Sequence, residues 1–548
     1  MGFYDQVVLP GTALLGSLYP SSTVDLGYAT YAAANTSLTP GVTSFLGIRY
    51  AAPPTGELRF NAPQAPHVVE DVQQSAMPPP CYGGAAFGLA TEPTFYNAGG
   101  KAANVSTLNP FDIADGSSED CLFLNIHVPD SLKLEGNTSV PVLVWIHGGG
   151  YIGGSHMMYP AENLARNAHG GLVVVSVQYR LGPFGFLAGK DVKEGGALNA
   201  GLLDQELALK WVQKHITKFG GDPDRVAIFG NSAGAGSVLQ HVVAHAGNTQ
   251  PPLFRAALVS STFLPSQYAW NDPVSEALYR TIAKEVGCTG EGVLRCLRAV
   301  DPGALTLAGA RATYAGFLGT FSFVPVVDGA FIVERPYKTL QRKSVNGEMV
   351  FATSTTDEGF IFAPESITTS LGLEEYVKGL FPALQGEDVR RAVELYTGSG
   401  ADVASAASQI MDEVIFSCPG YTVLDAFAGA GKPAWKGLFD VTPAWHGHDL
   451  LYIFEAEIHG ITARLIPPSD TELGHAMRAA FIGAATDLDP NSLAATPDWP
   501  RYTEDAHVEM LFNRTQDGLQ SNMEAFPTNH ALLERCAFWQ GIADMTAQ

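Results

Sequence analysis

The sequence predicts an α/β protein with a mostly parallel central sheet flanked by helices. Val140 to Ile146 and Leu172 to Val177 are continuous apolar runs of strand length, as expected for strands covered on both faces. Gly201 to Ile216 then carries apolar residues at helical spacing. Val226 to Phe229 is a further apolar strand, and Ala233 to His245 has helical character. Strand, helix and strand in this order are typical of a parallel sheet.

The length of the chain bears on how many domains it forms. At 548 residues it would ordinarily contain roughly three or four domains. However, the sequence has no low-complexity run, charge block, internal repeat or recognisable linker. Its hydrophobic fraction of 46% is sufficient for a large core. We therefore expect one α/β domain over residues 1–548.

The strand from Val226 to Phe229 leads into Gly-Asn-Ser-Ala-Gly, with Ser232 at the centre. Gly230 and Gly234 are small enough to permit the sharp, strained turn that lifts a serine hydroxyl clear of a sheet. The helix N-terminus that follows favours developing negative charge. We interpret Ser232 as a nucleophile, although the five-residue pattern alone is weak in a chain with 58 glycines.

Longer motifs strengthen this interpretation. They are Phe219 to Gly234, Glu119 to Ile126, Trp145 to Tyr151 and Phe321 to Gly329. They resemble the serine signature, the signature around the first disulfide, the oxyanion-hole loop and the acyl-pocket segment of the type-B carboxylesterase/lipase family, which includes cholinesterases and fungal lipases. The resemblance extends from about Gly47 to Trp539. It implies an α/β-hydrolase fold with a disulfide-tethered flap.

A serine nucleophile requires a base, and the base requires a carboxylate that orients it. In α/β-hydrolases these groups follow one another as Ser, acid and His. Ser232, Glu358 and His446 have this order. Glu358 lies in Asp-Glu-Gly after a strand predicted at Glu348 to Ala352, as the resemblance implies for the acid. Asp357 is the alternative acid.

His446 is distinguished from the other histidines by a His-x-x-Asp pattern, which resembles the way the family places its base. The apolar run Leu451 to Phe454 that follows is predicted to be a strand. His448 lies close enough to be confused with His446. Two histidines without further clustered ligands make a poor zinc site, so we expect neither a metal nor a cofactor.

Developing oxyanion charge requires preorganised N–H donors. The backbone N–H groups of Gly149, Gly150 and Ala233 are the candidates, since Gly148-Gly149-Gly150 directly follows a predicted strand and glycines permit close approach to a substrate.

The resemblance also implies an acyl pocket at Gly319, Phe321 and Phe323. Phe321 matches one aromatic position of the cholinesterase pocket, whereas Gly319 replaces another, so we expect room for acyl groups larger than acetyl. Asn231 occupies a position where the family usually has Glu. The loop between the first two cysteines contains no tryptophan for cation–π contacts. Both departures argue against quaternary ammonium substrates.

The six cysteines contain no Cys-x-x-Cys pair. Their number alone leaves the pairing open, and the resemblance implies three disulfides: Cys81 to Cys121, Cys288 to Cys296 and Cys418 to Cys536. It also implies that residues 81–121 form a candidate lid, against the alternative of a fixed loop. The resemblance further implies two structural ion pairs, Arg59 with Glu119 and Arg180 with Asp204.

Glycosylation sequons and charge bear on the location and the partners. Sequons occur at Asn35, Asn104, Asn137 and Asn513. With paired cysteines they favour a secreted protein, although the N-terminus lacks the basic segment of a signal peptide. A net charge of −23 without a cationic cluster disfavours nucleic acid and anionic membranes as partners. We expect at most transient contact with a lipid interface, and the oligomeric state is open.

These observations together predict a secreted serine hydrolase that cleaves neutral, largely apolar carboxylic esters through an acyl-enzyme. Its substrate would be a small-molecule or lipid ester. Lipase or sterol-esterase activity and a feruloyl-type esterase are alternatives within the same class, and nothing in the sequence selects an amidase or peptidase. A non-catalytic, cholinesterase-like binding protein is the rival from a different class. The presence of Ser232, Glu358 and His446 argues against it, since function depends on the site and not on the fold.

Overall fold

The computed structural model describes residues 22–35, 39–84, 87–88, 116–132, 139–364, 366–398, 402–456, 471–515 and 520–548. Within these ranges the strands are β1 (Thr23–Asp25), β2 (Thr30–Ala32), β3 (Val42–Arg49), β4 (Phe123–Pro129), β5 (Val140–Ile146), β6 (Val173–Val177), β7 (Gly221–Asn231), β8 (Ala256–Ser260), β9 (Met349–Thr355), β10 (Ala434–Phe439), β11 (Val508–Arg514) and β12 (Ser521–Pro527).

The α-helices of the described ranges are α1 (Glu162–Asn167), α2 (Gly182–Phe186), α3 (Lys190–Gly195), α4 (Ala200–His215), α5 (Ala233–Gly247), α6 (Pro273–Glu285), α7 (Val293–Ala299), α8 (Pro302–Tyr314), α9 (Pro336–Gln341), α10 (Ser370–Leu380), α11 (Gly386–Thr397), α12 (Val403–Asp412), α13 (Cys418–Gly429), α14 (Asp449–Ile453), α15 (Glu472–Asp487), α16 (His530–Gly541) and α17 (Ala543–Thr546). Short 3₁₀ helices span Gly56–Leu58 and Ile216–Phe219, and a π-helical turn spans Glu413–Ser417.

Strands β3 to β12 form one ten-stranded sheet in the order β12-β11-β10-β9-β8-β7-β5-β6-β4-β3. Every neighbouring pair from β11 to β6 is parallel. Only the edge strands β12, β4 and β3 pair in the antiparallel sense. Since β5, β6 and β7 are adjacent and parallel, the predicted mostly parallel sheet is confirmed.

Both faces of this sheet are covered, which explains the continuous apolar runs. In β5, Val144 packs into the larger hydrophobic cluster, while its neighbours Leu143 and Trp145 pack into the smaller one on the opposite face. β7 divides in the same way, with Ile228 on one side and Phe229 on the other. The sheet is therefore a rigid base for the loops that leave the carboxyl ends of its strands.

Two local predictions require comment. The prediction of a strand at Leu451 to Phe454 is wrong. Leu451 to Ile453 belong to helix α14, and Phe454 directly follows its last residue. A short apolar run has the same appearance in a buried helix and in a buried strand. The helix predicted at Ala233 to His245 is present as α5, but its backbone leaves helical angles at Ala244.

The three disulfides are those that the resemblance implied, Cys81–Cys121, Cys288–Cys296 and Cys418–Cys536. The first of them joins the two ends of the candidate lid, residues 81–121. Most of that loop, including residues 89–115, lies outside the described residues.

The two described sequons differ in their surroundings. Asn35 is exposed. Asn513 lies in β11, and its Nδ2, the atom that would carry a glycan, donates to Asp440 Oδ2 at 2.8 Å. Asn104 and Asn137 lie outside the described residues. In the described ranges, no helix is both long and apolar enough to cross a bilayer.

Both expected ion pairs are present and buried. Arg59 Nε lies 2.6 Å from Glu119 Oε1, and Arg180 Nη2 lies 2.6 Å from Asp204 Oδ1. Asp204 also accepts from the backbone N of Arg180 at 3.0 Å. Asp204 thereby fixes the chain after β6 to helix α4.

We expect Asp204→Asn to lower the free energy of unfolding by about 3–5 kcal/mol, because it leaves the buried Arg180 guanidinium without its counter-charge. The matched control is Glu394→Gln, which breaks an exposed pair with Arg391 and should cost less than about 1 kcal/mol. Urea denaturation of the three proteins measures both effects. Equal losses in the two variants would contradict the importance of the buried pair.

Candidate active site

Ser232 lies at the junction of β7 and α5, with φ 56° and ψ −126°. A positive φ is unfavourable for a residue with a Cβ, so the surroundings must hold this conformation. A Cβ on Gly230 would lie 2.2 Å from the carbonyl carbon of Gly234, and one on Gly234 would lie 2.1 Å from Ile146 O. Both glycines are therefore required by the tight strand-to-helix turn.

The backbone N of Ser232 donates to Ser260 O at 3.1 Å, which ties the turn to the end of β8. The next residue, Ala233, is the first of helix α5. Its N–H therefore belongs to the free donors of a helix N-terminus, where negative charge is favoured.

The glycine loop after β5 lies against this turn. A Cβ on Gly148 would be 3.0 Å from the Cβ of Ser232. Gly149 and Gly150 have φ values of 110° and 63°, which glycine adopts without strain. The three proposed oxyanion donors therefore lie in two segments next to Ser232: the glycine loop with Gly149 and Gly150, and the start of α5 with Ala233.

His446 and Glu358 are in direct contact. Nδ1 of His446 lies 2.5 Å from Oε2 of Glu358. The other carboxylate oxygen, Oε1, accepts from Thr355 N at 2.7 Å, and the Glu358 side chain is fully buried. Nε2 of His446 is also buried and has no hydrogen-bond partner in the described part of the chain. The carboxylate therefore occupies one ring nitrogen and leaves the other available for proton transfer.

The alternative residues do not take these positions. Asp357 accepts a hydrogen bond from Ser408 Oγ at 3.4 Å, and burial raises the pKa of its carboxyl. His448 packs against Phe439 and Tyr452, at ring-centroid distances of 5.1 and 5.8 Å. Burial lowers the pKa of His448 to about 4, which keeps its ring neutral at physiological pH.

Aromatic side chains enclose the His446 ring. Phe416 and Phe362 lie at centroid distances of 4.5 and 5.2 Å from it. These rings reduce contact with water and so strengthen the interaction between His446 and Glu358. Sequence reasoning missed both residues, since isolated phenylalanines in a chain with 29 of them carry no signal.

A polar chain runs beneath the serine from Asn231 to Asp449. Asn231 Nδ2 lies 3.1 Å from Ser260 Oγ, and Ser260 Oγ donates to Asp449 Oδ2 at 2.5 Å. Burial, together with the nearby charge of Glu358, raises the pKa of Asp449 from 3.8 to about 6. Sequence reasoning named Asn231 but missed Ser260, and it noted Asp449 only as the last residue of His-x-x-Asp.

The predicted acyl-pocket residues separate into two groups. Gly319 and Phe321 line an apolar cavity of about 80 Å³, whereas the buried Phe323 lines a smaller one. A Cβ at Gly319 would lie 2.4 Å from Met411 Cε, and its φ of 85° disfavours any side chain. Phe321 lies 5.8 Å from Phe362, which in turn contacts the ring of His446. The ring of Phe362 therefore lies between the cavity residue Phe321 and the ring of His446.

Comparisons with known proteins show the family and the fold of the chain. The model of the Carboxylesterase family matches residues 29–539. Lipase 5 of Diutina rugosa is 31% identical over 525 residues, covering 88% of this chain and 91% of that protein. The secreted triacylglycerol lipase LIP1 of Gibberella zeae is 30% identical, and the match covers 84% of this chain and 82% of that protein. The crystal structure of Aspergillus niger EstA has a TM-score of 0.79 at 28% identity, covering 96% of this chain and 99% of that one.

We expect the buried Asp449 to make the protein less stable as the pH rises. Its folded pKa of about 6 exceeds the ordinary 3.8, so between about pH 4 and pH 6 the native state binds more protons than the unfolded state. The free energy of unfolding should therefore fall across this window, by at most about 3 kcal/mol. Asp449→Asn removes this contribution.

The measurement is urea denaturation at pH 4 and pH 7. Asp449→Asn should lose less stability than the parent protein on going to pH 7. Asp498→Asn, at an exposed position, is the control and should behave like the parent. An unchanged pH dependence in Asp449→Asn would contradict the assignment.

Proposed function

Since the chain belongs to the carboxylesterase family, we propose that it hydrolyses its substrate with a catalytic triad of Ser232, His446 and Glu358. The protein is a carboxylic-ester hydrolase with the α/β-hydrolase fold, as its family and its structural neighbours establish. The observation that carries the triad proposal is the 2.5 Å contact between His446 Nδ1 and Glu358 Oε2, while Nε2 of His446 has no hydrogen-bond partner among the described residues.

In this mechanism Nε2 of His446 takes the proton of the Ser232 hydroxyl as its oxygen attacks the ester carbonyl. Glu358 holds the required tautomer and stabilises the imidazolium that forms. His446 then protonates the leaving alcohol, and Ser232 remains acylated. A water molecule that His446 deprotonates hydrolyses the acyl-enzyme and restores the serine.

The N–H groups of Gly149, Gly150 and Ala233 would stabilise the negative oxygen of each tetrahedral intermediate. Their support is the position of the glycine loop against Ser232 and the place of Ala233 at the start of α5. Loss of a single donor of this kind typically reduces kcat by roughly 10²- to 10³-fold. Because backbone groups are held by the fold, little reorganisation accompanies the reaction.

For the substrate we propose neutral, largely apolar esters whose acyl chain enters the cavity lined by Phe321. Its apolar lining includes Leu278, Val324 and Val326. Asn231 is uncharged at a position where the family usually has Glu, so the site offers less attraction to a quaternary ammonium group. These features favour acyl groups larger than acetyl.

A lipase activity is the second candidate, because Lipase 5 and the secreted lipase LIP1 are relatives of this chain. Residues 81–121 would then act as the lid. The three disulfides and the secreted relative also support an extracellular protein. Turnover that rises when a long-chain ester passes its solubility limit would select the lipase, whereas full turnover of dissolved esters would select the carboxylesterase.

The triad proposal predicts unequal effects of two adjacent carboxylates. In a p-nitrophenyl ester series from acetate to palmitate, Ser232→Ala should lower kcat by roughly 10⁶-fold. Glu358→Gln should lower it by roughly 10⁴-fold, because the tautomer of His446 is no longer fixed. Asp357→Asn is the matched control and should retain kcat of the same order as the parent. A larger loss in Asp357→Asn than in Glu358→Gln would make Asp357 the acid.

The acyl-cavity proposal is tested by Val324→Phe, which adds volume inside the cavity without touching the triad. We expect kcat/KM for the octanoate ester to fall by roughly 10- to 100-fold relative to acetate, since each excluded methylene forfeits about 0.8 kcal/mol. Val333→Phe makes the same change at an exposed position and should preserve the ratio. An unchanged ratio in Val324→Phe would show that the acyl chain binds elsewhere.

A further inference from the structure

The side chain of Gln548 is buried where two distant backbone segments meet. It is only 1% exposed. Its Nε2 donates to Leu264 O at 2.7 Å and to Val414 O at 2.9 Å. Because both partners are carbonyl oxygens, only the NH₂ end of the amide can satisfy them. Its Oε1 accepts from Thr546 Oγ1 at 2.8 Å, so the whole amide is held in one orientation.

Two further hydrogen bonds join the neighbours of Gln548 to the segment that follows β8. Ser266 Oγ donates to Thr546 O at 2.7 Å, and Gln267 N donates to Ala547 O at 2.6 Å. The contact is therefore made by several groups in series. We call residues 546–548 the Gln548 clamp.

The second segment that the clamp holds is the π-helical turn Glu413–Ser417, to which Val414 belongs. Such turns are rare and often occur at functional sites. Leu264 N donates to Ile415 O at 2.9 Å, next to the bond from Gln548 to Val414 O. Two successive carbonyl groups of the turn thus accept hydrogen bonds from outside it, as buried backbone acceptors require.

Both joined segments reach the apolar cavity proposed for the acyl chain. Pro265 lines it from the first segment and Ile415 from the second. The next residue of the turn, Phe416, packs on the His446 ring at a centroid distance of 4.5 Å. Gln548 is not among the described residues that line the cavity. Any effect of Gln548 on the acyl chain must therefore pass through its neighbours.

We propose that Gln548 is a positioning residue that sets the acyl-chain preference by holding the Pro265 and Ile415 walls of the cavity together. Walls that are already fixed bind a long acyl chain without paying for their own ordering. Once freed, they must be ordered each time such a chain enters. An acetyl group is too short to depend on both walls, so it escapes this cost. The inference rests on the proposed acyl cavity.

The test compares p-nitrophenyl octanoate with p-nitrophenyl acetate, using the full chain and its Gln548→Glu variant. This change keeps the shape of the side chain but replaces the NH₂ donor by an acceptor oxygen. We expect the octanoate-to-acetate ratio of kcat/KM to fall roughly 3- to 10-fold, as loss of a buried hydrogen bond predicts. The loss should appear in KM for octanoate. Both esters use the same triad and leaving group, so a general effect on catalysis cancels in the ratio.

Gln540→Glu is the matched control. Gln540 Nε2 also donates a hydrogen bond, to Thr422 Oγ1 at 2.8 Å, but neither residue is among those that line the cavity. This variant should keep the ratio of the parent, even where urea denaturation shows a comparable loss of stability. An equal fall of the ratio in Gln540→Glu would overturn the proposal, because reduced stability alone would then explain the effect.

Circular dichroism establishes that each variant is folded. If Gln548→Glu does not fold, Thr546→Val replaces it, since it removes the hydroxyl that orients the amide and should shift the ratio in the same direction. An unchanged ratio in the folded variant would overturn the clamp. Val324→Phe in the same assay separates the two proposals. If it lowers the ratio while Gln548→Glu does not, the acyl cavity stands and the clamp alone fails.

Discussion

The left-handed backbone at Ser232 is the constraint on which the rest of the site depends. Such a conformation costs on the order of 1–3 kcal/mol and persists only where the surroundings over-determine it. Here the hydrogen bond to Ser260, the start of α5 and the contact of Gly234 with Ile146 O hold it in place. Each of these contacts joins the turn to β5, β8 or α5. Because the strands are buried on both faces, their positions and therefore these contacts are fixed.

Buried carboxyl groups cluster around Glu358, whereas the position next to the serine is uncharged. Glu358 contacts His446, and burial together with the charge of Glu358 raises the pKa of Asp449 and of Asp412. A carboxylate that is fully buried and held by Thr355 N needs no reorganisation when an imidazolium forms beside it. Asn231 keeps the position next to the serine uncharged, and the polar chain through Ser260 links it to Asp449.

The sequence predicted the features that depend on short-range chemistry. Strands β5 and β7, the turn at Ser232 and the choice of Glu358 as acid partner for His446 follow from apolar runs, paired glycines and family motifs. The helix α14 was predicted as a strand because four apolar residues carry no usable period. Phe362 and Phe416 reach His446 through contacts between distant segments, which leave no local pattern in the chain.

The segment from Thr355 to Phe362 supports both Glu358 and the ring of His446. On one side Phe362 contacts His446 and the apolar cavity residue Phe321. On the other, Thr355 N donates to Glu358 Oε1 at 2.7 Å, and Phe360 stacks on Trp445. Gly359 packs closely against helix α12, because a Cβ there would lie only 1.9 Å from Ser408 O. Glu358 and His446 therefore depend on one backbone segment that is held by close packing.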